Sequence, residues 1–124
     1  MGIGKWFLKH GPGSPGATAK AVIKDYLKWK REFPNYTQDE LIFLTFFTRV
    51  TTGQKVARIP PPSESTMLNL IREWGGDIRK LIFYLVIRET PDAENILLKN
   101  PQTHSDILEV IEEVSREFDI GGRS

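Results

Sequence analysis

Few residues in this 124-residue chain have types that do chemistry: two histidines, a cluster of glutamates and one glycine-rich loop. Catalysis needs a base or nucleophile held in a pocket. His10 lies in a glycine-flanked segment and His104 in the first turn of a predicted helix, so both are expected at the surface. His104 precedes Ser105, but triad partners meet in space rather than by adjacency. Glu109, Glu112 and Glu113 could offer oxygens to a hard cation such as Mg²⁺. Helical spacing turns them away from the apolar side, whereas a bundle metal site needs Glu-x-x-His pairs facing inward. With no cysteine, the chain has no thiolate nucleophile, disulfide or cysteine metal site.

The loop Gly11–Gly16, GPGSPG, formally matches G-x-G-x-x-G. The dinucleotide fingerprint needs a strand before it, and none is legible. The phosphate-loop pattern also nearly fits, but Ala17 stands where the phosphate-binding lysine belongs. Pro12 and Pro15 remove two N–H groups such a loop would use. The loop is therefore read as a hinge, with Ser14 capping a helix and Pro15 at its first position. A phosphate-ligand enzyme at this loop is the remote reading. No catalytic residue, metal or cofactor is expected.

Binding is better represented than chemistry. Lys20, Lys24, Lys28 and Arg31 recur at i, i+4, i+8 and i+11, opposite the apolar residues Ala19, Val22, Tyr26, Trp29 and Phe33. The stripe could meet nucleic-acid phosphates, an acidic partner (the acidic C-terminal helix included), or only solvent. Net charge is +1 with pI about 8.0, and no helix-turn-helix or zinc-finger pattern is legible. The charge is polarised, however: residues 1–36 carry +5 and residues 101–124 carry −4. Residues 2–9, GIGKWFLK, place Ile3, Trp6 and Phe7 at helical spacing beside Lys5 and Lys9. They read as an arm that docks on a partner or an anionic membrane surface, or that folds back and covers the core with Trp6 and Phe7.

The elements that must position these residues are helical. The composition, 40% hydrophobic and 27% charged, is that of a globular chain. Periodicity and caps predict an all-α single-domain bundle of about five helices, near 17–33, 38–52, 64–74, 77–89 and 103–118, with a short helical turn at 92–99. Thr37 and Glu40 form a capping box. Residues 53–63, with Pro60-Pro61-Pro62, read as the principal loop, and Ser63 or Ser65 as the next cap. Asn100-Pro101 is expected to stop the short turn, and Thr103 to open the last helix. The domain is placed at 15–120, after a flexible amphipathic arm and hinge at 1–14 and before a frayed tail at 121–124.

Two stretches compete to be the centre. Ile78–Ile87 holds the longest unbroken apolar run, Leu81–Ile87. Its period fits a helix face of Ile78, Leu81, Ile82, Leu85 and Val86, or a short strand. Asp77 as N-cap and the lack of a partner strand favour the helix, which Phe83, Tyr84 and Ile87 make apolar nearly all round. The second stretch is 41–50, also apolar around most of its circumference, with Phe43, Phe46 and Phe47 as candidate contacts. Central helices 38–52 and 77–89 need more cover than three one-faced helices supply, unless they bury each other. The expected function is a small helical binding or scaffolding module working through protein–protein contact, self-association included. The alternative is an electrostatic binder of nucleic acid or anionic membrane through the basic face of the first helix. No stretch is long enough to span a bilayer, and a cytoplasmic location is expected.

Overall fold

The computed structural model of the chain describes residues 2–11, 13–57 and 59–119, and of residues 2–5 and 53–57 the backbone alone. The fold is an all-α bundle. Among the described residues there are six α-helices, α1 Gly2–His10, α2 Pro15–Glu32, α3 Gln38–Ala57, α4 Glu64–Trp74, α5 Ile78–Glu89 and α6 Pro101–Glu117, and one π-helical turn, Glu94–Leu98. None of these helices is long and apolar enough to cross a membrane. The tail at 121–124 lies outside the described residues.

Local chemistry accounts for the boundaries. Ser14 accepts from the Ala17 N–H at 3.1 Å, and Pro15 opens α2 with its φ already helical. Thr37 and Glu40 satisfy each other's backbone N–H groups at the start of α3. Ser63 caps α4, and Gly75 ends it in the left-handed conformation at φ 58°. Asp77 caps α5. Three boundaries depart from expectation. The α3 helix runs on to Ala57 through the first residues of the supposed loop. The segment read as an arm is a helix, α1, packed on α2 and α6. The last helix opens at Pro101 rather than Thr103, because Asn100 accepts from the Gln102 and Thr103 N–H groups. The Asn-Pro pair read as a stop is thus a start, since proline suits a first helical turn as well as it ends a preceding one.

One core joins all the long helices. Val22 and Ile23 from α2, Ile42 and Phe46 from α3, Leu81, Ile82 and Leu85 from α5, and Ile107, Val110 and Val114 from α6 are fully enclosed. Each such side chain contributes about 1.5–3 kcal/mol of transfer free energy. The face predicted for residues 78–87 is the buried one: Ile78, Leu81, Ile82, Leu85 and Val86 are all inside. The two apolar helices are also tied by charge. The Arg49 guanidinium donates to both Glu89 carboxylate oxygens, at 2.8 and 2.7 Å, across the α3–α5 contact. That fork holds Arg49 above its ordinary range.

Candidate binding groove

The helix α5 has more apolar surface than the core can use. Its second face, Lys80, Phe83, Tyr84 and Ile87, follows i, i+3, i+4 and i+7; Phe83, Tyr84 and Ile87 are half-buried against the edge of the core. This face floors an open groove of about 750 Å³. Trp74, at the end of α4, forms one wall; Leu98, Leu108 and Ile111, from the π-helical turn and α6, form the other. Leu98 and Leu108 are 40% and 48% exposed, so the wall is apolar and open to solvent.

The floor is held from beneath. Phe46, Trp74 and Tyr84 form an aromatic triad whose centroids lie 5.3–5.8 Å apart, so α3, α4 and α5 meet under the groove. On the other side Phe83 packs on the His104 ring at 5.4 Å. The π-helical turn brings Leu98 to the rim. Asp92, at φ 54°, starts it and Leu97 anchors it in the core, while the Lys99 N–H reaches the Glu94 carbonyl at 2.9 Å.

Charge borders the apolar floor. Arg79, Lys80 and Arg88 line the groove with Asp77 and Glu112. Arg79 is spent on both acids, donating to Asp77 at 3.1 Å and to Glu112 across the α5–α6 contact. Burial pushes the Asp77 carboxyl up, but hydrogen bonds from the Arg79 side chain and backbone outweigh it and leave the group below the usual carboxylate range. Arg88 donates to the Pro60 carbonyl at 2.6 Å and makes no ion pair with a described residue. Lys80 is exposed and makes no ion pair with a described residue. The result is an apolar trough lined by two cations without an ion pair to a described residue, Lys80 and Arg88, about 12 Å apart along the α5 axis at 1.5 Å per residue.

A second, smaller groove of about 630 Å³ lies between α3 and α4. Phe43, Leu44, Leu68 and Ile71 line it, edged by Asp39, Glu40 and Arg72. Phe47, 45% exposed, stacks on Phe43 at 6.0 Å along the same side of α3. Each of the two central helices therefore has one face in the core and one facing out.

The residues singled out from sequence scatter. Phe46 is fully buried and cannot present itself to a partner; Phe43 is half-buried and Phe47 exposed. Helical geometry turns position 46 roughly 100° from 47 and 60° from 43. Trp6 and Phe7 are 56% and 60% exposed, so they do not cover the core; Leu8 does that. The Ile3 side chain lies outside the described residues. Lys24, Lys28 and Arg31 are exposed and Lys20 half-buried, all on the outer face of α2, with Lys28 5.3 Å from the Trp29 ring centroid. Three acids of α6 pair with cations outside that stripe. Lys9 takes Glu113 at 3.2 Å and Glu117 at 3.0 Å, and Arg79 takes Glu112. The two glutamates, Glu117 first, raise Lys9 above its ordinary value.

The glycine-rich loop has a structural use at each described position. Gly11 ends α1, its N–H on the Phe7 carbonyl at 3.1 Å, and Gly13 takes φ 68°. Ser14 caps α2, and Gly16 is where α1 crosses it. The Gly11 and Ala17 N–H groups serve helix ends. His10 is exposed beside Trp6. No family model, curated protein or solved structure matches the chain.

Proposed function

We propose that the protein is a helical binding module whose working surface is the groove between α4, α5 and α6, and that the groove receives an amphipathic helical segment of a protein. The observation that carries this reading is the second apolar face of α5, half-buried at the edge of the core, which lines the open trough. Soluble chains bury such faces unless something else covers them. A trough floored at helical spacing suits an amphipathic helix laid into it. The cations that line it, Lys80 and Arg88, eight residues apart on α5, favour a segment with acidic residues flanking its apolar face. Fluorescence anisotropy with a labelled acidic amphipathic peptide tests this. Binding is expected, with affinity falling at least tenfold in Leu108→Glu. Equal affinity in both proteins, or no binding by either, contradicts the reading.

A second reading, contact with an anionic polymer or membrane surface, is supported by Lys20, Lys24, Lys28 and Arg31, which form no ion pair with described residues. Such a contact must weaken steeply with salt. Titration against duplex DNA, RNA and anionic vesicles at two salt concentrations tests it, and no binding at low salt removes it.

A further inference from the structure

Resting on that reading of the groove, we propose that its occupant is the outward face of α3 from a second copy of the chain. Two open apolar faces sit on one molecule, and their borders differ in net charge: Asp39 and Glu40 outnumber Arg72 beside the α3 face, whereas Arg79, Lys80 and Arg88 outnumber Asp77 and Glu112 in the groove. The α3 face begins with Asp39 and Glu40 and continues one and two turns on with Phe43 and Phe47. Asp39 forms no ion pair with a described residue. In the groove, Lys80 makes no ion pair with a described residue, and Phe83 and Ile87 follow it at i+3 and i+7. The acid-to-Phe47 span and the Lys80-to-Ile87 span are both about 10–12 Å of helix, so the acidic end can sit on Lys80 while the phenylalanines enter the trough.

The two faces are separate surfaces. The α3 face adjoins Leu68 and Ile71 on one side of α4, while the groove meets α4 at Trp74. One chain can therefore give its α3 face to one neighbour and its groove to another. Such a contact is head-to-tail and extends to a ring or an open chain, unlike a two-fold dimer in which one patch meets itself. Burial would cover Phe47 and Leu68, which stand 45% and 43% exposed in the single chain.

Sedimentation velocity across a wide concentration range tests the proposal. The wild-type mass is expected to rise from the 14.2 kDa chain to multiples of it, and to fall back at high salt. A groove-blocked chain, Lys80→Glu with Leu108→Glu, and a face-blocked chain, Asp39→Lys with Phe47→Glu, are each expected to be monomeric while keeping the wild-type circular dichroism. Mixed, they are expected to form a one-to-one pair that grows no further, because one retains the face and the other the groove. A wild-type chain monomeric at every concentration overturns the proposal. So does a wild type that assembles while the mixed variants stay apart, or while either variant alone still assembles. If the acidic peptide binds the groove of a strictly monomeric protein, the self-contact falls and the groove reading stands. If the wild type assembles but the peptide does not bind, and the blocked variants assemble equally well, the groove reading falls with it.

Discussion

Gly16 of α2 and Lys9 of α1 meet backbone to backbone: a methyl group on Gly16 would lie 2.7 Å from the Lys9 carbonyl carbon. Real Cβ atoms do not come that close, and the neighbour is main chain, which cannot swing aside. Gly16→Ala is therefore expected to lift α1 from its seat and to break the Lys9 contacts with Glu113 and Glu117. Overpacking of this kind costs about 1–3 kcal/mol. Trypsin cleavage after Lys9 should become faster, and urea unfolding should report the loss. Unchanged cleavage and stability would show that α1 is seated some other way.

The phenylalanines of α3 divide by position. Phe46 touches Trp74 and Tyr84 and is fully enclosed, whereas Phe47 faces solvent. Phe46→Ala is expected to cost about 3–5 kcal/mol and Phe47→Ala about 0.5 kcal/mol or less in the monomer. Chemical denaturation of the two variants under conditions that keep the chain monomeric measures the contrast. Similar losses would mean that Phe47 is packed as deeply as its neighbour.

How far the sequence reveals this arrangement depends on whether a feature is local. The Ser14 and Asp77 caps, the Thr37–Glu40 box and the buried face of α5 each follow from residues within a few positions. That Phe83, Tyr84 and Ile87 are surplus to one helix face is equally legible. What stands beside them is not: Trp74, Leu98 and Leu108 converge there only through the packing of α4, the π-helical turn and α6. The same holds for Phe46, because a helix apolar nearly all round does not say which of its sides faces in. Asn100-Pro101 carries two local meanings, stop and start. The choice rests on Leu97 and Ile107, both buried, which fix the chain on either side of it. Asn100→Ala is accordingly expected to lower stability by about 1 kcal/mol, as loss of a helix cap does. Thr103→Ala, two residues inside the helix, should do less. Thermal melts of the pair decide between the two start points.

Asp77 predicts a pH dependence whose sign follows from its depressed carboxyl. In the unfolded chain an aspartate titrates near about 3.9, and in the fold it holds its charge to lower pH. The folded state thus binds fewer protons, and the stability Asp77 contributes is fully present above the unfolded value. It is lost as pH falls through the folded one. Asp77→Asn keeps a capping oxygen but not the charge facing Arg79. Urea melts should find the variant less stable at pH 7, with the gap closing as the pH drops below about 4. A gap that stays constant with pH would assign the loss to geometry instead of charge.

The Arg49–Glu89 fork is the remaining link between the two helices that carry outward apolar faces. Its side chains are 27% and 26% exposed, so solvent screens the pair in part. Removing Glu89 alone leaves a half-buried guanidinium without its acceptor; removing both leaves no orphan. A double-mutant cycle with Arg49→Met and Glu89→Gln is expected to give a coupling of about 1–2 kcal/mol, above the usual value for a fully exposed pair. The cycle has a second readout. The groove floor rests on α5, which the fork fixes against α3, so Glu89→Gln should also weaken acidic-peptide binding to the groove although Glu89 is not among its lining residues. A stability loss with unchanged peptide affinity would mean that the aromatic triad of Phe46, Trp74 and Tyr84 positions the floor without help from the ion pair.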